Sequence, residues 1–371
     1  MIIKVGITGQ SGFIGSHLFN YLNLQKNIKT IPFKDEYFQD RKTLTNFAKK
    51  CDCIVHLAAL NRHNDSQEIY NVNIHLVKTL IEILKSNNLK LHIIMSSSTQ
   101  EERDNPYGKS KKEGRELFAR WAKSNNTQFT GLIIPNVFGP FGKPFYNSVV
   151  CTFAYQITHD QSPQIEIDAH LKLIYINNLV RIIYNHIINK TNQHALQTGH
   201  DFDAKVSEIL KKLQMYHKTY YEKKHFPNLD NPFDVCLFNT YRSYIDPSFF
   251  PIKFDIYKDN RGIFAELVKA NSQGQTSFST TKSGITRGNH FHTRKIERFA
   301  VINGEADIRL RRIGSNQEIM YHLSGKEPSF VDMPVWYTHN ITNTGEEELL
   351  TIFWINEFFN PDDPDTYFGK V

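Results

Sequence analysis

The N-terminal part of the chain alternates short apolar runs with longer amphipathic stretches. The apolar runs, which have the length of buried strands, are residues 2–8, 53–59, 91–97 and 130–134. The stretches with helical periodicity are residues 15–24, 66–86 and 108–125. Buried strands that alternate with helices predict an α/β fold with a parallel, doubly wound sheet.

The pattern changes twice after this sheet. Residues 141–244 are less regular, with one clear helical stretch at 205–215, and we interpret them as the substrate-binding part of the first domain. Residues 244–251 carry two prolines and no periodicity, which predicts a boundary between domains 1–246 and 247–371. Beyond it, strands alternate with turn signals, which predicts an all-β domain of jelly-roll type.

Composition narrows the classes of function. A length of 371 residues favours two domains, and 40% hydrophobic with 22% charged residues is typical of soluble globular proteins. The net charge of +6 fits a small polyanionic substrate such as a nucleotide sugar, and no dense Lys/Arg run points to nucleic acid. Four cysteines without a CxxC pair favour a reducing compartment, and neither a signal peptide nor an apolar run of ~20 residues is visible. We therefore expect a cytoplasmic protein without a membrane partner.

The first strand leads directly into a glycine-rich turn with the spacing Gly-x2-Gly-x2-Gly. Its residues are Gly9, Gln10, Ser11, Gly12, Phe13, Ile14 and Gly15. Glycines at a helix N-terminus let backbone amides approach a pyrophosphate, and the helix dipole favours the anion. The strand end formed by Leu57, Ala58 and Ala59 is expected beside the same cofactor. A tight strand-to-helix turn without a ligand is the alternative interpretation of the glycines alone.

A Tyr-x3-Lys pair, Tyr107 and Lys111, lies at the start of a predicted helix. One helical turn places both side chains on one face, and the nearby ammonium is expected to lower the phenol pKa from its usual ~10. The phenol can then act as a general acid near neutral pH. Ser98, the last of three serines at a strand end, is expected to hydrogen-bond the reacting carbonyl. A surface tyrosine and lysine without a catalytic role is the alternative.

The glycine turn, the Tyr-x3-Lys pair and the serine-rich strand end together resemble the extended short-chain dehydrogenase/reductase family. The resemblance implies a Rossmann-type fold in which Tyr107 donates a proton as hydride arrives from NAD(P)H, while Lys111 also holds the nicotinamide ribose. It implies that Asn73 is the family's structural asparagine at the cofactor site. It also implies that Pro135 and Asn136 belong to the loop that contacts nicotinamide and substrate.

Two positions distinguish this chain within that resemblance. Ile133 stands where the family often has an arginine, so the contacts of that arginine must be made differently. The second strand should end near residues 31–34, where an NAD enzyme usually has an acid for the ribose diol. No acid precedes Asp35 in this segment, and Lys34 can meet a 2′-phosphate. We therefore favour NADPH over NAD as the cofactor.

The C-terminal part has imidazoles and a carboxylate at regular spacing. Gly284, His290, His292, Glu297 and Gly304 fill every spaced position of Gly-x5-His-x-His-x4-Glu-x6-Gly, so the stretch resembles the first motif of the cupin family. Histidines two residues apart on a strand point the same way, because side chains alternate between the faces of a sheet. A carboxylate from the paired strand can then meet them.

The second half of the cupin pattern is Pro334, His339 and Asn343, spaced Pro-x4-His-x3-Asn. With the two histidines and the glutamate of the first motif, His339 completes a set of N and O donors suited to zinc or a similar divalent ion. Trp336 stands where the motif usually has glycine, and its indole is expected to narrow the cavity inside the jelly roll. A cupin that has kept its shape without its metal is the alternative.

Residues 259–266 and 284–290 resemble the dTDP-4-dehydrorhamnose 3,5-epimerase family. The resemblance implies that a histidine removes a proton beside a ketone and that a tyrosine returns one to the other face. Such a proton becomes removable where the enolate is stabilised, for which a divalent ion is one means. His290 matches the base by position, yet it also lies in the metal pattern, and one histidine is not expected to do both jobs. Tyr337 is the candidate acid, and Arg261 is a candidate substrate contact.

Over nearly its full length the chain resembles one family, the bifunctional capsular-polysaccharide enzymes CapF/WbjC. The stretches that carry this resemblance are residues 104–108, 143–149, 288–290 and 364–368. The resemblance implies that the cupin inverts C3 of a UDP-2-acetamido-2,6-dideoxy-4-hexulose and that the reductase then reduces C4 with NADPH. The product would be a UDP-N-acetyl-6-deoxy-L-hexosamine of L-talo or L-manno (rhamnosamine) configuration.

The chemistry of the ketosugar sets the order of the two steps, because the C4 ketone acidifies the C3 proton and reduction removes that ketone. The main alternative is a single-activity NADPH-dependent 4-ketosugar reductase whose cupin is structural and oligomerising. A non-enzymatic NADP sensor is a weaker alternative, since such proteins tend to lose the Tyr-x3-Lys pair. A dTDP or GDP nucleotide in place of UDP also stays open. Exposed jelly-roll edges often pair, so we expect a homo-oligomer, a dimer or higher.

Overall fold

A computed structural model describes residues 2–371 of the chain, which divides into two compact units. Unit 1 consists of the residues up to Phe138, Gly142–Val149 and Ala169–Lys205. Unit 2 consists of Gly139–Phe141, Val150–Asp168 and Val206–Val371. Residues 206–246 thus cluster with the C-terminal strands. The domain boundary after residue 246 stays a prediction.

Eight α-helices lie within residues 2–371. They are α1 (Phe13–Asn23), α2 (Arg41–Ala48), α3 (Ser66–Ser86), α4 (Pro106–Asn125), α5 (Val149–Thr158), α6 (Ile176–Ile188), α7 (Val206–Tyr216) and α8 (Pro232–Arg242). Short helical turns span Asp35–Gln39, Thr99–Glu102, His217–Glu222 and Pro247–Phe249. In α4, Asn105 caps the start by accepting a hydrogen bond from the Gly108 amide at 2.7 Å, and Asn126 closes the end at φ +50°.

The strands of unit 1 form two sheets. They are β1 (Ile3–Thr8), β2 (Ile28–Ile31), β3 (Cys53–His56), β4 (His92–Ser98), β5 (Phe129–Ile134), β6 (Asn136–Phe138), β7 (His170–Tyr175), β8 (Gln193–Gln197) and β9 (Phe202–Lys205). Within residues 2–371, six of them pair in parallel in the order β2-β1-β3-β4-β5-β8, and a smaller sheet has the order β6-β7-β9. The carboxyl ends of β1, β3, β4 and β5 therefore lie at one edge, where ligands bind in such folds.

Helices pack their apolar faces on this parallel sheet. In α3 the buried residues Val77, Leu80 and Leu84 recur at helical spacing, and in α4 Phe118 and Trp121 do the same. These side chains share one hydrophobic core with residues of β3, β4 and β5. The predicted doubly wound α/β architecture is confirmed.

The strands of unit 2 are antiparallel. They are β10 (Ile252–Lys253), β11 (Ile256–Asp259), β12 (Gly262–Ala265), β13 (Gln275–Thr281), β14 (Thr286–Phe291), β15 (Glu297–Asn303), β16 (Glu305–Arg312), β17 (Glu318–Ser324), β18 (Ser329–Met333), β19 (Tyr337–Asn343), β20 (Leu349–Ile355) and β21 (Tyr367–Phe368). One sheet has the order β10-β18-β15-β20-β13 and the other the order β17-β16-β19-β14-β21, while β11 and β12 form a separate hairpin.

The two larger sheets of unit 2 enclose a common core. Phe299, Val301 and Val331 come from the first sheet, and Ile308 and Leu310 come from the second. Within each strand these residues are two positions apart, as expected when alternate side chains point inward. The predicted all-β C-terminal part is confirmed. Across residues 2–371, none of the helices has the length and apolarity that crossing a membrane requires.

Candidate active site and metal centre

The glycine turn lies where β1 meets α1. Gly9 has a φ of +70°, and a Cβ at this position would lie 2.8 Å from the backbone nitrogen of Ala58. Glycine is required here, because any side chain would collide with the backbone after β3. Helix α1 follows Gly12 without a side-chain cap, so its first amides can bind an anion. The structure therefore brings the predicted turn and the predicted strand end Leu57 to Ala59 together.

Two side chains of the turn contact the segment after β2. Gln10 Oε1 accepts a hydrogen bond from the Phe33 amide at 3.0 Å, and Ser11 Oγ donates one to Asp35 Oδ2 at 2.8 Å. Lys34 lies between these two contacts and is exposed. The Asp35 carboxylate that follows Lys34 is thus engaged by the turn itself, and Lys34 is an exposed positive charge beside it.

Tyr107 and Lys111 lie on one face of the first turns of α4. The Lys111 Nζ is 6.0 Å from the centroid of the Tyr107 ring and donates a hydrogen bond to Ser96 Oγ at 3.4 Å. Lys111 is only 3% exposed, whereas Tyr107 is half-buried. The two residues that the sequence pairs are therefore neighbours in space, with a serine of β4 as the lysine's partner.

Burial controls the acidity of both groups. It raises the pKa of Tyr107 to about 12, and repulsion from Tyr146 adds to this effect. Burial lowers the pKa of Lys111 to about 8, against the attraction of Glu101. The expectation that the ammonium lowers the phenol pKa is not met, because desolvation of the phenol outweighs a charge 6.0 Å from its ring.

The three serines at the end of β4 have different partners. Ser96 contacts the lysine, and Ser97 donates a hydrogen bond to the Glu101 carboxylate. Ser98 Oγ accepts a hydrogen bond from the Gln100 amide at 3.2 Å. This contact leaves the Ser98 hydroxyl hydrogen for another acceptor, as a role beside a substrate carbonyl requires.

An ion pair near these serines was missed by the sequence interpretation. Arg115 in α4 donates from Nε and Nη2 to the two oxygens of Glu101, at 2.8 and 2.6 Å. Such bidentate pairs are among the stronger contacts between side chains, and this one ties the turn after β4 to the helix that carries Tyr107. The partners lie 14 residues apart, so no local spacing signals the pair.

Asn73 in α3 uses its whole side-chain amide for hydrogen bonds. Its Oδ1 accepts from the Leu60 amide at 2.7 Å, and its Nδ2 donates to Leu60 O at 3.1 Å and to Ser110 Oγ at 3.0 Å. These bonds hold the loop after β3 against α4. They suit the structural asparagine that the resemblance implies.

The predicted nicotinamide and substrate loop follows β5. Ile134 pairs with Ser98 in the parallel ladder, so Pro135 follows β5 at the same sheet edge as the serines. Asn136 is exposed at the start of β6, and its Nδ2 donates to Lys172 O at 3.2 Å. The loop therefore begins at the edge where the glycine turn, Ser98 and the ends of β1 and β3 also lie.

Four side chains of unit 2 converge between its two larger sheets. His290 in β14 and His339 in β19 come from one sheet, Glu297 in β15 comes from the other, and His292 follows β14. Each offers one ligand atom, and these atoms all lie within 4.8 Å of one another. Glu297 Oε2 is 2.9 Å from His292 Nε2, 3.2 Å from His339 Nε2 and 4.0 Å from His290 Nε2. The structure thus brings together all four predicted metal ligands, named below as the His3Glu cluster.

The His3Glu cluster fits a tetrahedral divalent ion. Metal–ligand bonds of about 2.1 Å imply ligand atoms about 3.4 Å apart, which the distances of 2.9 to 4.0 Å bracket. Within residues 2–371, His339 Nε2 is buried without a hydrogen-bond partner, although the Glu297 carboxylate is 3.2 Å away. A metal ion would satisfy this nitrogen.

Backbone carbonyls fix the tautomers of two histidines in the cluster. His292 Nδ1 donates to Asp365 O at 2.6 Å, and His339 Nδ1 donates to Tyr337 O at 3.1 Å. Because a carbonyl only accepts, each Nδ1 carries the hydrogen and each Nε2 can present a lone pair to a metal. Outer contacts of this kind are typical of metal-binding histidines.

The electrostatics of the cluster favour an ionised Glu297 and a neutral His290. Burial opposes the charge of Glu297, but its close contacts with the imidazoles of His292 and His339 outweigh burial, so the pKa of Glu297 lies below its usual value. Burial, helped by repulsion from His339, lowers the pKa of His290 to about 4. Burial also disfavours charge on His292, yet its contacts with Glu297 prevail and raise its pKa. The ionised carboxylate and the neutral His290 are the protonation states that bind a metal.

A β-bulge directs His290 into the cluster. The register between β14 and β19 shifts between Gly288 and His290, and both Gly288 (φ +98°) and Asn289 (φ +61°) adopt the left-handed region. A Cβ at Gly288 would lie 2.9 Å from His339 O. The side chain of His290 is 26% exposed, against 7% or less for the other three members. The accessible face of the cluster therefore lies at His290.

The remaining predicted residues of this part lie in different surroundings. Tyr337 begins β19, two residues before His339, and burial raises its pKa against the opposing effect of Arg312. Arg261 lies in the β11–β12 hairpin with a side chain that is 90% exposed, and its guanidinium pairs with Asp259. Tyr337 is thus joined to the cluster through its backbone carbonyl, while Arg261 belongs to the exposed hairpin.

Asp365 is a site residue to which the sequence interpretation gave no role. Its carboxylate accepts hydrogen bonds from the amides of Thr293, Arg294 and Lys295, at 2.9 to 3.2 Å. Its own carbonyl holds His292. The sequence of the tail around Asp365 indicates a family resemblance but no ligand spacing. The distance of 73 residues along the chain from His292 explains why no spacing revealed the contact.

Comparisons with known families match both parts of the chain. Residues 5–195 match the NAD dependent epimerase/dehydratase family, and residues 257–367 match the Polysaccharide biosynthesis C-terminal domain. The chain is 31% identical over 371 residues to the UDP-2-acetamido-2,6-beta-L-arabino-hexul-4-ose reductase of Pseudomonas aeruginosa, covering 100% of this chain and 99% of that protein. It is 26% identical over 119 residues, 29% of this chain and 79% of the relative, to the spore coat polysaccharide biosynthesis protein SpsL of Bacillus subtilis.

A solved structure is similar over the full length. The capsular polysaccharide assembling protein CapF from Staphylococcus aureus shares 34% identity with a TM-score of 0.64, and the match covers 100% of both chains. Both sets of candidate site residues lie within the region of this match.

Proposed function

The chain belongs to the CapF/WbjC family of capsular-polysaccharide enzymes, and from that premise we propose that it is a bifunctional nucleotide-sugar enzyme. Its antiparallel part, as a cupin, epimerises C3 of a UDP-2-acetamido-2,6-dideoxy-4-hexulose. Its Rossmann-type part then reduces the C4 ketone with NADPH. The product is a UDP-N-acetyl-6-deoxy-L-hexosamine with the L-talo or the L-manno configuration at C4.

One observation carries this proposal, namely that a single chain holds two separate sets of candidate catalytic groups. The first is the Tyr107–Lys111 pair beside Ser98, and the second is the His3Glu cluster in unit 2. A reductase alone needs no buried cluster of four N and O ligands. The cluster therefore favours two activities over a reductase with a structural cupin.

The reductase chemistry follows from the protonation states of its residues. NADPH, when bound, supplies the hydride for C4. Tyr107, whose pKa is raised to about 12, holds its proton at neutral pH and gives it to the C4 oxygen. Ser98 donates a hydrogen bond to the same oxygen. The Lys111 ammonium stabilises the phenolate that remains and orients the nicotinamide ribose.

The segment after β2 supports NADPH as the cofactor. Lys34 is exposed, and its charge suits a 2′-phosphate. The neighbouring Asp35 carboxylate, which would suit the ribose diol of NAD, already accepts a hydrogen bond from Ser11.

The epimerase chemistry requires a base, an acid and a stabilised enolate. A divalent ion such as Zn²⁺, if held by His292, Glu297 and His339, and by His290 where it is not the base, would supply positive charge for the enolate oxygen. Tyr337 is the proposed acid on the opposite face of the sugar. His290 is either the fourth ligand or the base, because the lone pair of Nε2 serves only one partner at a time.

Metal content separates the two roles of His290. If His290→Ala keeps the metal but loses exchange of the C3 proton, His290 is the base. If the purified variant contains no metal while its fold is retained, His290 is a ligand. His292→Ala is the matched control, since this histidine is buried and is expected to act only as a ligand.

Two substitutions test the division of labour. Tyr107→Phe should lower the rate of NADPH oxidation by about 10²-fold or more while C3 exchange continues, because only the proton donor for C4 is lost. His290→Ala should stop C3 exchange but leave reduction of an already epimerised ketosugar intact. Product NMR and NADPH absorbance measure both activities. Loss of both activities in either folded variant would refute the proposal.

A further inference from the structure

Unit 2 contains a buried positive charge that neither proposed reaction uses. Arg242, the last residue of α8, is 6% exposed, and its Nη2 donates to Met333 O at 3.0 Å. Among residues 2–371, the buried Nη1 finds no hydrogen-bond partner. An N–H of a buried guanidinium costs free energy when no acceptor reaches it.

Arg242 lines a pocket within unit 2. The wall of the pocket is mainly aromatic and apolar, with Phe141, Phe250 and Tyr337 among its members. No member of the His3Glu cluster lines it. The pocket is therefore distinct from the candidate metal centre.

The acid on the pocket wall does not neutralise Arg242. Asp332 accepts hydrogen bonds from Arg298 Nε at 2.7 Å and from Arg298 Nη2 at 2.9 Å. The Tyr220 hydroxyl donates to the same carboxylate at 2.7 Å. The negative charge of Asp332 is thus compensated by the Arg298 guanidinium. Asp332 therefore does not neutralise the positive charge of Arg242.

Two hydroxyl groups of the wall are also engaged as donors. Tyr321 donates to Pro247 O at 2.9 Å, and Ser243 donates to Thr240 O at 2.7 Å. The rings of Tyr220 and Phe238 lie 5.7 and 5.8 Å from the Arg242 Cζ and help to hold the guanidinium in place. The wall therefore offers a fixed positive charge and an N–H donor in apolar surroundings.

We propose that this pocket binds a small monovalent anion, a carboxylate or a halide, through Nη1 of Arg242. A bound water would satisfy the N–H group but would leave the charge unpaired. An anion does both, and its hydrogen bond is strong because the aromatic wall keeps the local dielectric low. The site includes none of the proposed reductase groups and no member of the His3Glu cluster, and it shares only Tyr337 with the proposed epimerase.

Thermal unfolding of the full-length protein tests the site with sodium formate as the probe. Formate replaces sulfate at constant ionic strength, and the wild type is compared with Arg242→Gln. As formate is added, the Tm of the wild type should rise relative to that of Arg242→Gln by about 2 °C and then level off. Only the wild type gains binding free energy from the anion. Arg309→Gln is the control, because this guanidinium is exposed, pairs with Asp307 and Glu318, and does not line the pocket. It should respond like the wild type.

Crystals grown in sodium bromide provide a test that needs no variant. An anomalous peak should lie within about 3.5 Å of Arg242 Nη1. An ordered water at this place without anomalous signal would overturn the proposal. A Tm response to formate that is equal in wild type and Arg242→Gln would overturn it as well.

Discussion

At the scale of single residues, Lys111 shows how burial makes an ordinary side chain reactive. The lysine is 3% exposed, its Nζ donates to Ser96, and its ammonium lies 6.0 Å from the ring of Tyr107. Burial lowers its pKa to about 8, close to physiological pH, whereas the phenol keeps its proton to about 12. We therefore expect the lysine, and not the tyrosine, to be the group whose titration limits reduction in the alkaline range.

This difference predicts the pH dependence of reduction. Lys111 is charged below its pKa of about 8 and neutral above it, so kcat/KM for NADPH oxidation should fall as pH rises through about 8, approaching tenfold per pH unit. Tyr107 should add no further change below pH 11. Rates measured from pH 6 to 10 at constant ionic strength provide the test.

Lys111→Arg is the control for this profile. Arginine stays charged over the whole range, so the alkaline decline should disappear even if the variant is slower. An unchanged decline in Lys111→Arg would assign the titration to another group.

At the scale of elements, strand β14 sets the geometry of the His3Glu cluster through an irregularity. The bulge between Gly288 and His290 turns the strand so that His290 meets Glu297 from the opposite sheet. The close approach of Gly288 to His339 O leaves no room for a side chain. In a regular strand without this bulge, the imidazole of His290 would point in a different direction.

Gly288→Ala should therefore weaken metal binding. The new Cβ would lie 2.9 Å from His339 O and would have to push β14 away from β19, so we expect about tenfold lower affinity for Zn²⁺. Competition with a chromogenic chelator measures the affinity. Gly284→Ala is the matched control, because Gly284 also has a positive φ (+73°) but no atom lies within 4 Å of its added Cβ. Equal losses in both variants would mean that backbone strain, and not the close approach, controls the site.

The sequence predicted those helices, strands and site residues whose signal lies in the spacing of neighbouring positions. Strand alternation and fixed spacing anticipated His290 and His292, and the Tyr-x3-Lys pair anticipated the face of α4 on which Tyr107 lies. Helix α8 (Pro232–Arg242) was missed because its buried residues include Asp234, Asn239, Thr240 and Arg242, so its packed side lacks an apolar period. Polar residues buried by long-range partners give no periodic signal.

The candidate site, too, was predicted only as far as the spacing of residues within motifs reveals it. All four members of the His3Glu cluster came from motif spacing, but Asp365 and the Glu101–Arg115 pair did not. Their contacts join positions 73 and 14 residues apart, so they depend on the tertiary fold. The pKa of Tyr107 was expected in the wrong direction for the same reason, because desolvation depends on what surrounds the ring.

At the scale of the whole molecule, two catalytic sets on one chain would use the same ketone twice. Unit 1 carries the residues proposed for hydride transfer, and unit 2 carries the His3Glu cluster. Carbanion formation at C3 needs the C4 ketone as an electron sink, and reduction consumes that ketone. Fusion of the two activities keeps a reactive ketosugar with one protein.

Removal of metal should separate the activities. After dialysis against a strong chelator, C3 exchange should fall by about 100-fold or more, because enolate stabilisation by the ion is lost. Reduction of an already epimerised ketosugar should stay within about twofold, since the groups of unit 1 include none of the cluster residues. Added Zn²⁺ should restore exchange. Unchanged exchange in protein shown to be metal-free would exclude the cluster from epimerisation.

The most direct measurement is incubation of the UDP-4-hexulose with the protein in D₂O without NADPH, followed by NMR of the sugar. The account predicts that deuterium enters at C3 before any reduction occurs, and that NADPH added afterwards gives a product with inverted C3. Reduction that yields a sugar with the original C3 configuration and no deuterium at that carbon would contradict it.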